Sequence, residues 1–280
     1  MNSNMLDRII KNAILEDIGD GDHSSLSCIP ADATGKAQLL IKEKGILAGI
    51  EISKEVFNKI DPGLKFEQFL FDGKQVNPGD RAFIIEGKIH SILQAERLVL
   101  NMMQRMSGIA TTTNEYVKKV AGTKAKILDT RKTTPGIRYL EKLAVKIGGG
   151  ENHRMGLYDM IMLKDNHIDF AGGLKLAIKK ANKYLKTVKK DLKIEVEVRN
   201  IEEVNEVINT GGVHRIMFDN FTPEQTKTAV ELINGQFETE SSGGITLKTI
   251  RAYAECGVDY ISVGALTHQI KSLDMSLKAI

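Results

Sequence analysis

The chain is predicted to be an α/β protein whose larger part is an open, incomplete β/α barrel. Three observations carry this. From about residue 124 onward, strand-like and helical patterns alternate without a break, which implies parallel strands joined by right-handed crossovers. The residues near the strand ends, Asp129, Lys164, Glu197, Asp219, Ser242 and Gly264, are 35, 33, 22, 23 and 22 residues apart. A unit of about 22 residues is close to the minimum for strand, loop, helix and loop, so three in succession favour a compact barrel over a doubly wound sheet. Only six strands are clear, which leaves the barrel open.

The elements follow in order. "SNMLDRIIKNAILEDIG" has apolar residues at helical spacing and stops at Gly19. "GKAQLLIKEKGILAGI" is strand-like, with a turn expected at Gly45. "LKFEQFLFDGKQVNPGDRAFIIEGKI" predicts short strands joined by Asp-Gly and Pro-Gly turns. "SILQAERLVLNMMQRMSGIATTTNEYVKKV" predicts a long helix interrupted near Gly108, with Met102, Met103 and Met106 as packing residues. The barrel strands are KAKILD, MIMLK, KIEVEV, RIMFD, QFETESS and YISVG. The helices between them are IRYLEKLAVKI, AGGLKLAIKKANKYLKTVKK, IEEVNEVINT, PEQTKTAVELIN and LKTIRAYAEC.

Composition removes several classes of function. The 280 residues hold 39 basic and 36 acidic side chains, a net charge of +3, which gives no cationic coat for a nucleic acid or a membrane surface. Any important cation cluster must be local. Cys28 and Cys256 make neither a CxxC pair nor a zinc spacing and are expected to be reduced thiols of a cytoplasmic protein. No secretory signal and no membrane-spanning run is expected.

In a β/α barrel the strand C-termini share one mouth, where active sites are built. Arg131 and Lys132 leave the first barrel strand, His153 and Arg154 follow the "GGGENHR" loop, and Lys164 ends the second strand. Adjacent positive charges repel, so their convergence on one mouth calls for an anion with several charges, a dicarboxylate, a pyrophosphate or both. "KIEVEV" alternates, placing Glu195 and Glu197 on one strand face. Glu197, nearer the strand end, is the better mouth residue, and Asp219 takes the next mouth position. Two such carboxylates can hold Mg²⁺, grip ribose hydroxyls or stabilise developing positive charge. The small residues of "ESSGGITLKTI" and "SVGALTH" let a phosphate approach backbone N–H groups at a helix N-terminus, and barrel phosphate sites commonly use the last two loops. Gly148, Gly149 and Gly150 follow a helix instead of opening one, so they are expected to make a turn that positions His153 and Arg154. The residues alone thus point to a barrel-mouth enzyme for a phosphorylated sugar and an acidic small molecule.

The ordered set "EDIGDGDHSS", "AERLVLN", "SGIATTT", "DTRKTTPGIR", "KLAVKIGGGENHRMGLYDMIMLKDNHI", "EVEV", "FDNF", "ESSGGI" and "GVDYISVGALTH" closely resembles the quinolinate phosphoribosyltransferases. The resemblance covers nearly the whole chain, and residues 130–167 are its most specific part. It implies an N-terminal α/β-sandwich domain over residues 1–112, with 266–280 packing back on it, and a barrel over 113–265. It implies transfer of phosphoribose from phosphoribosyl pyrophosphate to quinolinate with loss of CO₂, a requirement for Mg²⁺, and assembly as a homodimer or hexamer. Arg131, His153, Arg154 and Lys164 would surround the quinolinate carboxylates, with Thr130 in the same substrate-binding set. Lys132 would lie between them and the pyrophosphate. Glu197 and Asp219 match the family's acids at ribose and metal, the metal contact being indirect. Ser242, Gly243, Gly244, Val263, Gly264 and Ala265 match its 5′-phosphate loops. Arg97, which periodicity alone assigns to a solvated helix face, matches an arginine that crosses to a neighbour's site. Rivals are a related transferase of the same fold from molybdate-transport operons, a lyase on a phosphorylated sugar, and a non-catalytic phosphate-binding barrel.

Overall fold

A computed structural model describes residues 3–280. The chain divides into two compact units. Of the described residues, the first comprises 3–114, 133–149 and 265–280, and the second 115–132 and 150–264.

The first part of the chain forms α1 (Ser3–Ile18), α2 (His23–Cys28), β1 (Thr34–Ile41), β2 (Gly45–Ile46), α3 (Ile50–Ile60), β3 (Lys65–Gln68), β4 (Gln75–Val76), β5 (Arg81–Lys88) and α4 (Ile89–Lys119). The remainder forms β6 (Lys126–Leu128), α5 (Arg138–Ile147), β7 (Ile161–Leu163), α6 (Asp165–Ala171), α7 (Leu174–Val188), β8 (Ile194–Val198), α8 (Ile201–Thr210), β9 (Arg215–Asp219), α9 (Pro223–Ile233), β10 (Glu238–Ser242), α10 (Ile250–Glu255), β11 (Tyr260–Ser262), α11 (Ala265–His268) and β12 (Met275–Ala279).

The first unit is built on an antiparallel sheet in the order β12-β1-β5-β3. Alternation along β1 buries Ala37, Leu39 and Ile41, as a half-buried strand requires. Leu39 pairs with Leu277, so the C-terminal strand extends this sheet. Phe57 of α3 meets Phe83 edge-on with ring centroids 5.9 Å apart, and Phe66 lies 4.4 Å from Phe83. These aromatic contacts tie α3 to β3 and β5 and anchor the core of this unit.

Three details differ from the sequence expectation. The strand-like run does not continue to Ile50: β2 ends at Ile46, and Gly49, at φ +104°, opens α3. Gly45 is a strand residue paired with Val76 and not a turn; a Cβ there would stand 2.1 Å from Leu273 Cδ1. The helix expected to break at Gly108 runs unbroken for 31 residues. Gly108 is there because a Cβ would lie 2.3 Å from the carbonyl oxygen of Lys271, so the glycine lets two backbones touch and does not interrupt the helix.

The second unit holds six parallel strands in the order β6-β11-β10-β9-β8-β7. That is chain order around a barrel with one seam left unpaired, between β6 and β7. An isolated parallel bridge joins Leu128 to Glu151 at the free edge of β6. The two long spacings now have causes. Between β6 and β7 the chain leaves for the first unit, where Glu141 of α5, 1% exposed, pairs with Arg105 of α4 at 2.6 Å. Residues 133–149 therefore do not belong to the barrel, although the sequence reading put 113–265 in one domain. Between β7 and β8 lie two helices, α6 and α7, where one was predicted.

The Gly108→Ala chain is expected to lose about 1–3 kcal/mol of stability, because the contacted atom is backbone and cannot swing away. Chemical denaturation of the two proteins measures it.

Candidate active site

Alternation on the parallel strands gives the second unit an unusual inward face. Glu195 and Glu197 share one side of β8; Arg215, Met217 and Asp219 share one side of β9; Glu238, Glu240 and Ser242 share one side of β10. The opposite sides carry Val196, Val198, Ile216 and Phe218, fully buried. A barrel interior is ordinarily filled with branched apolar residues. Here it is lined with carboxylates, and the cations that neutralise them come partly from the loops.

At the strand C-termini, Lys164 follows β7 and its Nζ lies 2.5 Å from Glu197 Oε2. The Lys164 N–H donates to His167 Nδ1 at 3.1 Å, closing the first turn of α6 and holding the lysine at the strand end. Asp219 ends β9 and accepts the Asn220 side-chain amide at 3.0 Å. Ser242 is its register partner on β10. Gly243 follows at φ +95°, where a Cβ would stand 2.2 Å from Asn220 Oδ1. Only glycine meets both conditions, so the Ser-Gly-Gly turn is set by its neighbour strand as well as by any ligand.

The "ENHR" segment is pinned residue by residue. Asp129, 0% exposed at the end of β6, accepts the Asn152 side chain at 2.5 Å and the His153 N–H at 2.9 Å. The Arg154 N–H donates to His153 Nδ1 at 2.7 Å. That leaves the ring proton on Nε2, which stands 2.9 Å from Glu195 Oε2 and 3.6 Å from Glu240 Oε2. The Arg154 guanidinium donates to the Met160 carbonyl at 3.4 Å. Burial and the nearby positive charge of Arg131 hold this guanidinium below its ordinary value. The repulsion expected from sequence is therefore present, and a bound anion would relieve it.

The same ring nitrogen and the carboxylate oxygens of Glu195 and Glu240 lie within 4.8 Å of one another, all buried. Burial raises Glu195, an effect opposed by Arg215, Glu240, Arg154 and Lys164. Burial and the charge of Glu195 push Glu240 up to about 8. Two carboxylates this close hold one proton between them. A divalent ion fits the cluster poorly, since three cationic side chains already bear on Glu195. Below, Arg215 donates to Glu240 at 2.8 Å and to Glu238 at 3.1 Å, and stacks over the Tyr260 ring at 3.9 Å.

The second unit thus gathers much of the expected set on one sheet end. Lys164 touches Glu197, Arg131 acts on Arg154, and Asp219 is in register with Ser242. Thr130 Oγ1 accepts the Lys132 N–H at 3.0 Å and closes the turn that carries both cations. Val263, 2% exposed, donates its N–H to the Leu128 carbonyl at 3.0 Å, and Gly264 and Ala265 follow. The ring of His153 turns inward to the carboxylates, and its Nδ1 accepts the Arg154 N–H. The helix expected directly after Ser-Gly-Gly is displaced: a Thr246–Thr249 turn intervenes before the six-residue α10. Arg97 lies on α4 in the first unit and is exposed. Sequence reasoning missed Asn152, Arg215 and Glu240 as parts of the site, and placed Asp129 at a strand end without giving it a role. For Glu240 the signal was available, since "ETESS" alternates as "EVEV" does.

Comparison with known proteins bears on what this arrangement is for. Residues 22–107 match the quinolinate phosphoribosyl transferase N-terminal domain and residues 109–278 its C-terminal domain. The chain belongs to the quinolinate phosphoribosyltransferase family. A tobacco relative named quinolinate phosphoribosyltransferase [decarboxylating] 2b, mitochondrial, is 47% identical over 98% of this chain and 82% of its own. A Bacillus subtilis relative named probable nicotinate-nucleotide pyrophosphorylase [carboxylating] is 43% identical over 99% of this chain and 94% of its own. The crystal structure of NadC from Streptococcus pyogenes superposes with a TM-score of 0.93 at 38% identity, covering 100% of this chain and 99% of that one. A nicotinate-nucleotide pyrophosphorylase from Pyrococcus furiosus, 16% identical with a TM-score of 0.70, shares the fold. The open barrel and the separate antiparallel domain are thus features this quinolinate phosphoribosyltransferase family member has in common with its solved neighbours.

Glu240 gives a pH prediction. In the unfolded chain it titrates at an ordinary glutamate value near 4.5, and in the fold at about 8. Between these values the folded state binds the extra proton, so stability falls as pH rises through that window. Glu240→Gln should flatten the fall, and melting temperatures recorded from pH 5 to pH 8 for both proteins test it.

Proposed function

We propose that this chain is a decarboxylating quinolinate phosphoribosyltransferase. It joins the ring nitrogen of quinolinate to C1 of phosphoribosyl pyrophosphate, releasing pyrophosphate and CO₂ and giving nicotinate mononucleotide for NAD biosynthesis. The observation that carries this reading is the match of both domains, over nearly the full chain, to relatives that bear that name. The crowded Arg131–Arg154 pair supplies a chemical reason for an anionic ring substrate.

Arg131, Arg154 and Lys164 orient the two carboxylates, arginine by its planar fork. The ring nitrogen attacks C1 as pyrophosphate departs, and positive charge grows on the sugar. Glu197 and Asp219, carboxylates at neighbouring strand ends, stabilise that charge, while Lys132 faces the leaving group. The ring is now cationic. It takes up the electron pair left when the carboxylate adjacent to the nitrogen departs as CO₂. A proton then reaches C2, with Lys132 and Lys164 as the candidate cationic donors. The Ser242–Gly244 and Val263–Ala265 turns offer backbone N–H groups to the 5′-phosphate.

Magnesium suits the two acids, which are hard oxygen donors. Glu197 already contacts Lys164, so Glu197 and Asp219 would hold the ion indirectly. Mg²⁺ bound there would neutralise the departing pyrophosphate. We read the protein as a homodimer or a multiple of dimers in which exposed Arg97 reaches the neighbouring site. Cys28 and Cys256 are free thiols, which suits a reducing compartment, and the cytoplasm is the location we assign. None of the described helices is long and apolar enough to cross a membrane.

Pyrophosphate and CO₂ should appear in equal amounts when quinolinate and phosphoribosyl pyrophosphate are supplied. Nicotinate, with one carboxylate, should be turned over with a kcat/KM at least about 100-fold lower; equal rates would contradict the two-carboxylate pocket. Separately, Arg97→Ala and Lys164→Ala chains should each lose most activity and regain part of it when reassociated. Verified mixed dimers without recovery would reject a shared site.

A further inference from the structure

Below the cations lies a group of side chains to which phosphoribosyl transfer assigns no step. Glu195 and Glu240 are both 0% exposed, and Arg215 is 7% exposed. Buried ionic networks are costly to desolvate, and well-packed apolar residues can often replace them without loss of stability. A role in placing something is therefore the better account, and the contacts show what is placed.

They form a chain that ends at Arg154. Arg215 Nη1 holds Glu240 Oε2 at 2.8 Å. Glu240 Oε2 and Glu195 Oε2 stand 3.6 and 2.9 Å from His153 Nε2. His153 Nδ1 accepts the Arg154 N–H at 2.7 Å. A flipped ring would lose the Arg154 contact and turn a C–H toward the carboxylates, so the Nδ1 contact and the buried acids favour the same ring orientation. Among the described residues, both oxygens of Glu195 and Oε1 of Glu240 are buried without an aligned donor. No other side chain lies between these carboxylates and the Arg154 peptide in this sequence of contacts.

We propose that Glu195 and Glu240 are positioning residues: through the His153 ring they fix the Arg154 segment and so set how tightly the site grips the dicarboxylate ring. For the identity of that ring the inference rests on the functional reading above. The acids touch no substrate. Their effect is carried entirely by where the imidazole sits.

The test uses full-length Glu195→Gln, Glu240→Gln and His153→Asn, and the Glu195→Gln/His153→Asn double variant. Asparagine at 153 can still accept the Arg154 N–H but no longer reaches the carboxylates. Each glutamine variant should raise KM for quinolinate about tenfold and leave KM for phosphoribosyl pyrophosphate within twofold. On the His153→Asn background, Glu195→Gln should add almost nothing. Equal rises in both KM values, full additivity in the double variant, or unchanged KM with a lower melting temperature would overturn the proposal. If Glu195→Gln does not fold, the split in KM for Glu240→Gln decides. Calorimetric binding of phthalate, a ring dicarboxylate with no nitrogen to ribosylate, reads the same grip without turnover. A wild-type protein inert toward quinolinate thus sinks the functional reading, while phthalate affinities across the variants still judge this one.

Discussion

Carboxylates buried on the inward face of the parallel sheet are the constraint on which the rest of the second unit depends. Glu195, Glu197, Asp219, Glu238 and Glu240 face inward on three neighbouring strands, and Arg215 is the one cation those same strand faces supply among the described residues. A carboxylate removed from water must be paired, hydrogen-bonded or protonated. The structure uses all three solutions in layers. Arg215 pairs with Glu238 and Glu240 at the bottom. In the middle, burial and the charge of Glu195 raise Glu240 to about 8, which favours a proton there. Lys164 meets Glu197 at the open end.

This arrangement ties packing to chemistry. One of the cations that would bind an anionic substrate, Lys164, is already engaged by a fixed acid, while Arg131 and Arg154 still repel one another and await an anion. Lys164 is held from two sides, by His167 through its backbone and by Glu197 through its ammonium group. Arg154 is held through its peptide by His153, and the His153 peptide in turn is held by Asp129. Preorganisation of this kind avoids paying the ordering cost when substrate binds. Its other consequence is that acids far from any reacting atom can control how well the site works.

Some of the fold was legible because it depends on local pattern. Six strands and their parallel sense follow from alternation of strand and helix at short spacing, and counting six leaves the barrel open; the strand pairing places the open seam between β6 and β7. Gly108 was not legible. A glycine in the middle of a helical pattern reads as an interruption, and only the Lys271 carbonyl, 163 residues away along the chain, explains why helix α4 needs a residue without a side chain there. The excursion of residues 133–149 was hidden for the same reason. Its helical pattern is ordinary, and its destination is set by Arg105 gripping Glu141.

The candidate site divides along the same line. By itself the sequence determined which residues are charged, that they fall at strand ends, and that Glu195 and Glu197 share a face. These are one-dimensional facts, controlled by residue type and a period of two. It could not say which charge meets which. Tertiary structure decided that His153 turns inward to Glu195 while Lys164 takes Glu197, that Asp129 holds the "ENHR" segment, and that Glu240 completes a buried cluster. Electrostatic partnership depends on distance in space and on exclusion of water, and both are set only when strands far apart in the chain are laid side by side.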